Sequence, residues 1–117
     1  MNIEKLQEVD LDISDDLKEG KVIIDVYTDW CGPCKFIAPI LENLADEGLI
    51  KVIRVDLDQN RPLGQMFGIT AIPTLLFFKD GKLLEKNISV EGREAVKNGI
   101  MVGAAGEDMM RQIIEQM

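Results

Sequence analysis

Residues 22–41 read VIIDVYTDWCGPCKFIAPIL, and the change of pattern inside them decides the fold. Val22 to Tyr27 is apolar, β-branched or aromatic apart from one acid, Asp25, as expected of a strand covered on both faces. From Gly32 to about Glu47, Phe36, Ile37, Ile40, Leu41 and Leu44 recur at spacings of three and four. That spacing predicts an amphipathic helix ended by Gly48, with Pro39 expected to kink it. A strand therefore hands over to a helix at Trp30-Cys31-Gly32-Pro33-Cys34.

Outward from this junction, Ile50 to Leu57 reads as a second strand, Asp58-Gln59-Asn60 as a turn and Pro62 to Phe67 as a short helix. Strand, helix, strand, helix favours a parallel central pair joined by a crossover helix. Thr74 to Lys79 and Lys82 to Lys86 flank Asp80-Gly81, a dipeptide that accepts the positive φ of a tight hairpin, so an antiparallel pair completes a mixed α/β sheet. Gly106 to Met117 puts Met109, Met110, Ile113, Ile114 and Met117 on one helical stripe, which reads as core packing rather than a flexible binding face. Two stretches resist assignment. In the first twenty residues, Val9, Leu11 and Ile13 fit a strand while Ile3, Leu6 and Val9 fit a helix. Residues 86–105, KNISVEGREAVKNGIMVGAA, mix both patterns.

The 117 residues are 46% hydrophobic, enough for one core and too few for two, so a single domain spanning residues 1–117 is expected. Thirteen basic against 21 acidic side chains leave a formal charge of −8, which disfavours a nucleic-acid partner or an anionic membrane. The longest uncharged stretch, Pro62 to Phe78, is broken by glycines, polar residues and prolines and is no membrane span. The opening MNIEKLQEVD lacks the apolar run of a secretion signal, so a cytoplasmic location is expected.

Two cysteines and no histidine exclude Ser-His-Asp and Cys-His catalysis and supply half of a closed zinc site or iron-sulfur cluster, so neither metal nor cofactor is expected. Cysteines three apart at a helix start share a face and can form a disulfide without large strain. The unpaired N–H groups and positive dipole end of the first turn favour a thiolate at Cys31, the attacking nucleophile. Cys34, one turn deeper, can then attack the sulfur of Cys31 and release a reduced substrate. Pro33 fits the start of a helix, Gly32 leaves room beside the sulfur, and Trp30 walls the site. A static cross-link is the weaker reading, because so short a loop barely restrains the unfolded chain.

Asp25 lies six residues before Cys31 on an apolar strand. Burial should raise its pKa and suit it to accept the proton of Cys34, directly or through water. The alternative is an acid at a strand edge facing solvent. Arg54 is either its charge partner or a solvated residue. Pro73 has no N–H for a ladder and must begin or edge its strand, where a cis Ile72-Pro73 bond is plausible.

Taken together, VIIDVYTDWCGPCKFIAPIL, VDLDQN and FGITAIPTLLFFKDGK resemble the thioredoxin family in order and spacing from about Val22 to Lys82. The resemblance implies a thioredoxin fold, a central mixed β-sheet with helices on both faces. It implies that Cys31 is the exposed nucleophile, Cys34 the resolving thiol and Asp25 the buried acid beneath them, with Arg54 standing where the family usually has Lys. It also implies that Pro73 is cis against the disulfide, and that substrate lies in a groove edged by Trp30 and Ile72, hydrogen-bonding the backbone of Ile72. Gly-Pro between the cysteines points to the reducing branch rather than to oxidases and isomerases. Tyr27 departs from the Trp or Ser often found there. The Val102-Gly103-Ala104 segment lies 22 residues beyond Gly81, farther than in the family, so an insertion around residues 87–99 is expected. Either Lys82 to Ile88 is the last strand and extra helices follow, or Ile100 to Val102 returns to the sheet after the excursion, and the second is favoured.

The leading expectation is a protein-disulfide reductase, with disulfide-containing proteins as substrates and a thioredoxin reductase-type electron donor. The alternatives are a dedicated partner or adaptor of the same fold, a glutaredoxin-like reductase, or a thiol-ligated metal carrier.

Overall fold

The structure is a computed structural model and describes residues 18–117; the ambiguous pattern at Ile3 to Ile13 lies outside the described residues. The elements are β1 (Lys21–Tyr27), α1 (Gly32–Asp46), β2 (Lys51–Asp56), a 3-10 turn (Leu57–Gln59), α2 (Arg61–Phe67), β3 (Thr74–Lys79), β4 (Lys82–Leu83), β5 (Ile88–Val90), β6 (Arg93–Val96), β7 (Ile100–Val102) and α3 (Glu107–Glu115).

β1 runs parallel to β2 and antiparallel to β3, so it is central and buried on both faces, as its apolar run requires. The pleat divides the core. Ile23, Leu75 and Phe77 point to one face, where Ile37, Leu41 and Leu44 of α1 and Met110, Ile113 and Ile114 of α3 cover them. Val22, Ile24, Val26, Leu76 and Phe78 point to the other, against Leu63 of α2. Helices therefore cover both faces of a mixed sheet, and α1 continues through Pro39 without interruption. The stripe on α3 is core, as its spacing predicted, and each side chain fully buried there contributes roughly 1.5–3 kcal/mol.

Three lysines, from two strands and a loop, cap the carbonyl end of α3. Lys21 Nζ donates to Ile114 O at 2.7 Å, Lys79 Nζ to Met117 O at 3.3 Å, and Lys86 Nζ to Gln116 O. They meet the negative end of the helix dipole with positive charge. Arg111 grips Glu47 with two nitrogens and Glu107 with Nε, and so ties α3 to the end of α1. Those hydrogen bonds hold the Glu47 carboxyl below its usual pKa.

The expectation of a strand from Lys82 to Lys86 is corrected: β4 ends at Leu83. Leu84 N still donates to Phe77 O at 2.9 Å, and the chain then leaves the sheet. It builds a hairpin from β5 and β6 around Glu91-Gly92, turns again at Asn98-Gly99, and returns as β7, antiparallel to β3. Phe77 N receives its acceptor, Gly99 O, at 2.9 Å from this returning piece. β4 and β7 thus occupy one strand position beside β3, and the residue Phe77 bonds both sides of the break. Ile100 to Val102 does return to the sheet, as favoured. The hairpin buries Ile88, Val90 and Val96 in the core shared with α3.

Gly99 closes the base of this excursion at φ +79°, and a Cβ there would lie 2.5 Å from Leu84 O. Gly92 has φ +80° with open space around it. A Gly92→Ala variant should lose only the left-handed backbone cost, about 1–2 kcal/mol. Gly99→Ala should lose clearly more, because backbone must also move. Urea unfolding of the two variants compares them, and equal midpoints would show that the contact with Leu84 carries no weight.

Candidate active site

Cys31 and Cys34 are joined as a disulfide across a Cα separation of 5.3 Å, within the range that two cysteines span without backbone strain. The helix start explains the arrangement. Cys31 caps α1 with extended backbone, φ −94° and ψ 115°, Pro33 lies in the first turn, and Cys34 N–H donates to Cys31 Sγ at 3.1 Å. No acid stands in that first turn to compete for the positive end of the dipole. A thiolate formed at Cys31 on reduction would meet this N–H and this dipole.

Cys31 is not exposed in the ordinary sense: it is 5% accessible, against 1% for Cys34. Its sulfur turns into the helix to meet Cys34, so accessibility separates the two cysteines in rank only. Gly32 and Pro33 are exposed beside them. Trp30 stands out at 73% exposure and donates its indole N–H to Asp58 Oδ2 at 3.1 Å. Asp58, read from sequence only as a turn residue, thereby holds the indole in place.

At the head of β3, where Thr74 pairs with Val26 near the end of β1, the Ile72-Pro73 bond is cis, with Pro73 buried and Ile72 half-buried. Gly103 N donates to Pro73 O at 2.8 Å, and Val102, paired with Thr74, is exposed. The returning strand thus places the Val102-Gly103 segment beside Pro73.

Asp25 is wholly buried, which removes the reading of an acid facing solvent. Parallel pairing of β1 and β2 sets Asp25 directly against Arg54, and Arg54 Nε donates to Asp25 Oδ2 at 3.2 Å. The guanidinium carbon lies 3.9 Å from the centroid of the Tyr27 ring, a cation–π stack that fixes its plane. Arg54 is therefore the charge partner, with 38% of its side chain still in solvent. Asp25 Oδ1 has no hydrogen-bond partner among the described residues. Burial pushes the Asp25 carboxyl above its ordinary pKa, and the hydrogen bond and charge of Arg54 pull it only part of the way back. Tyr27, which departs from the Trp or Ser often found there in the family, meets Arg54 because of a strand register that composition does not reveal.

A family profile described as Thioredoxin matches residues 4–102. Thioredoxin from Bacillus subtilis is 39% identical over 90 residues, covering 75% of this chain and 86% of its own length. Thioredoxin from Chlamydia muridarum is 36% identical over 84 residues, covering 71% and 82%. Among solved structures, a mutant thioredoxin from Halobacterium salinarum superposes with a TM-score of 0.69 at 32% identity, covering 97% of this chain and 82% of that one. Oxidised mitochondrial thioredoxin 3 from Saccharomyces cerevisiae gives 0.68 at 25% identity, covering 96% and 90%. The joined cysteine pair at the head of α1, the cis proline at the head of β3 and these matches lead to one conclusion: the chain belongs to the thioredoxin family, and its activity is thiol-disulfide exchange that reduces protein disulfides through Cys31 and Cys34.

Proposed function

We propose that the reduced chain works in two displacements. The Cys31 thiolate attacks one sulfur of a substrate disulfide, forms a mixed disulfide and expels the other substrate sulfur as a thiolate. Cys34 then gives its proton to Asp25, directly or through water, and attacks Cys31 Sγ. This step breaks the mixed disulfide, expels the second substrate thiolate and leaves the Cys31–Cys34 bond, the form described above. Two electrons pass from the pair to the substrate. A thioredoxin reductase-type donor returns two electrons and two protons to the pair.

The observation that carries this reading is the N–H of Cys34 on the sulfur of Cys31 at the start of a helix, an arrangement that stabilises an attacking thiolate and keeps the resolving sulfur in bonding reach. Trp30, Gly32, Pro33, Ile72 and Pro73 frame the approach, with an extended substrate segment bonded to the backbone of Ile72. Arg54 orients and partly compensates Asp25. No described helix is long and apolar enough to cross a membrane, in keeping with a cytoplasmic reductase. The chain is a single thioredoxin-like domain with an inserted hairpin around residues 87–99.

Reduction of insulin with dithiothreitol as electron source tests the reading, together with redox titration of the Cys31–Cys34 couple. Rapid insulin precipitation and a strongly reducing couple are expected. A dedicated adaptor would reduce insulin slowly, and a mildly oxidising couple would move the assignment toward an oxidase or isomerase.

A further inference from the structure

A groove of about 460 Å³ lies between the 3-10 turn, α2 and the Ile69-Thr70 segment. Leu57, Asp58, Arg61 and Gln65 line it, and Gly64 and Gly68 bring no side chain to fill it. It continues the reductase site at two points. Asp58 is the residue that holds the Trp30 indole, and Thr70 stands two residues before Ile72.

The charges in this groove are unequal in what they have left to offer. The Asp58 carboxylate already accepts the Trp30 N–H. Arg61 is exposed and makes no ion pair among the described residues, although the chain carries a net charge of −8. A guanidinium left free beside a groove in so acidic a protein offers a carboxylate its fork of donors, whereas the surrounding field repels acidic chains elsewhere.

We infer that this groove is a subsite for the stretch of substrate polypeptide flanking the attacked cystine, and that Arg61 selects stretches carrying an acidic side chain. The inference rests on the reductase reading and adds a substrate preference to it. An exposed charge contact acts mainly through encounter, so the preference belongs in kcat/KM and weakens with salt.

The test uses cystine-containing peptides of one core sequence, flanked on both sides by glutamate, glutamine or lysine, reduced by the full chain with dithiothreitol as electron source. The expected result is a kcat/KM about threefold higher for the glutamate peptide than for the glutamine peptide at low ionic strength, falling toward one at high salt. Arg61→Ala should abolish that ratio and Arg61→Glu should invert it in favour of the lysine peptide. Equal rates on all three peptides with the unaltered chain, or a glutamate preference that survives Arg61→Ala, would overturn the inference and leave the reductase reading standing. Failure to reduce any of the three peptides would overturn both.

Discussion

A Cys34→Ser variant mixed with a disulfide-bearing protein is expected to accumulate as a covalent complex through Cys31 and to turn over at least about a thousandfold more slowly than the unaltered chain. The magnitude follows from proximity. The sulfurs are held at bonding separation by one helical turn, so the second displacement is intramolecular, and an external thiol at millimolar concentration replaces it poorly. Serine keeps the size of the side chain but not the nucleophile. Non-reducing electrophoresis and mass spectrometry should reveal an adduct that dithiothreitol releases. Cys31→Ser should form none, since its remaining sulfur is 1% accessible. Adduct formation through Cys34 would invert the assigned roles.

Asp25→Asn should act on rate and on stability in opposite directions. If Asp25 accepts the proton of Cys34, its loss slows the resolving displacement by about a hundredfold near neutral pH, the low end of general-base effects. The acid limb of the unaltered chain's pH profile should lie above the ordinary carboxylate range, because burial raises this group, and the variant should lack that limb. A resolving rate equal to that of the unaltered chain at every pH would remove the proposal. Stability moves the other way. The folded pKa lies above the unfolded value of 3.8, so the group's favourable contribution is complete below that value and is lost as pH rises through the folded pKa. At neutral pH the ionised, half-bonded carboxylate is a liability. Removing its charge should raise stability at neutral pH by on the order of 1 kcal/mol, because the carboxylate it replaces is buried and only half hydrogen-bonded, while Arg54 keeps its contact with water. Denaturant unfolding should find this gain at neutral pH and see it shrink on acidification; a variant less stable at neutral pH would contradict the burial argument.

Much of this was legible in the chain itself because local pattern and tertiary context agreed. The VIIDVY run, the spacing from Phe36 to Leu44 and the stripe on α3 follow from burial, and Asp80-Gly81 from its positive φ angles; the strands, helices and turn they indicate are there, although the strand after the turn stops at Leu83. What could not be read depended on register or on distant pairing. Arg54 meets Asp25 only because β1 and β2 pair residue for residue in one particular alignment, and Trp30 meets Asp58 across a crossover. The excursion is a different case, because a usable signal was present. Asn98-Gly99 and Glu91-Gly92 have the positive φ pairs of Asp80-Gly81, and Asn-Gly between two apolar runs is a strong hairpin cue. It was obscured by strands of three and four residues, too short to display alternation.

The split beside β3 separates two demands that a protein of this size usually has to reconcile. With Leu84 and Gly99 both fastened to Phe77, the chain can bud outward and rejoin the same track with no change of direction. The hairpin carried on that bud alters the outline of the molecule, while its inward side chains join the core that the two larger helices share. The junction is a fork in a single track, and whatever spans its two ends must still lay apolar side chains where Ile88, Val90 and Val96 now sit.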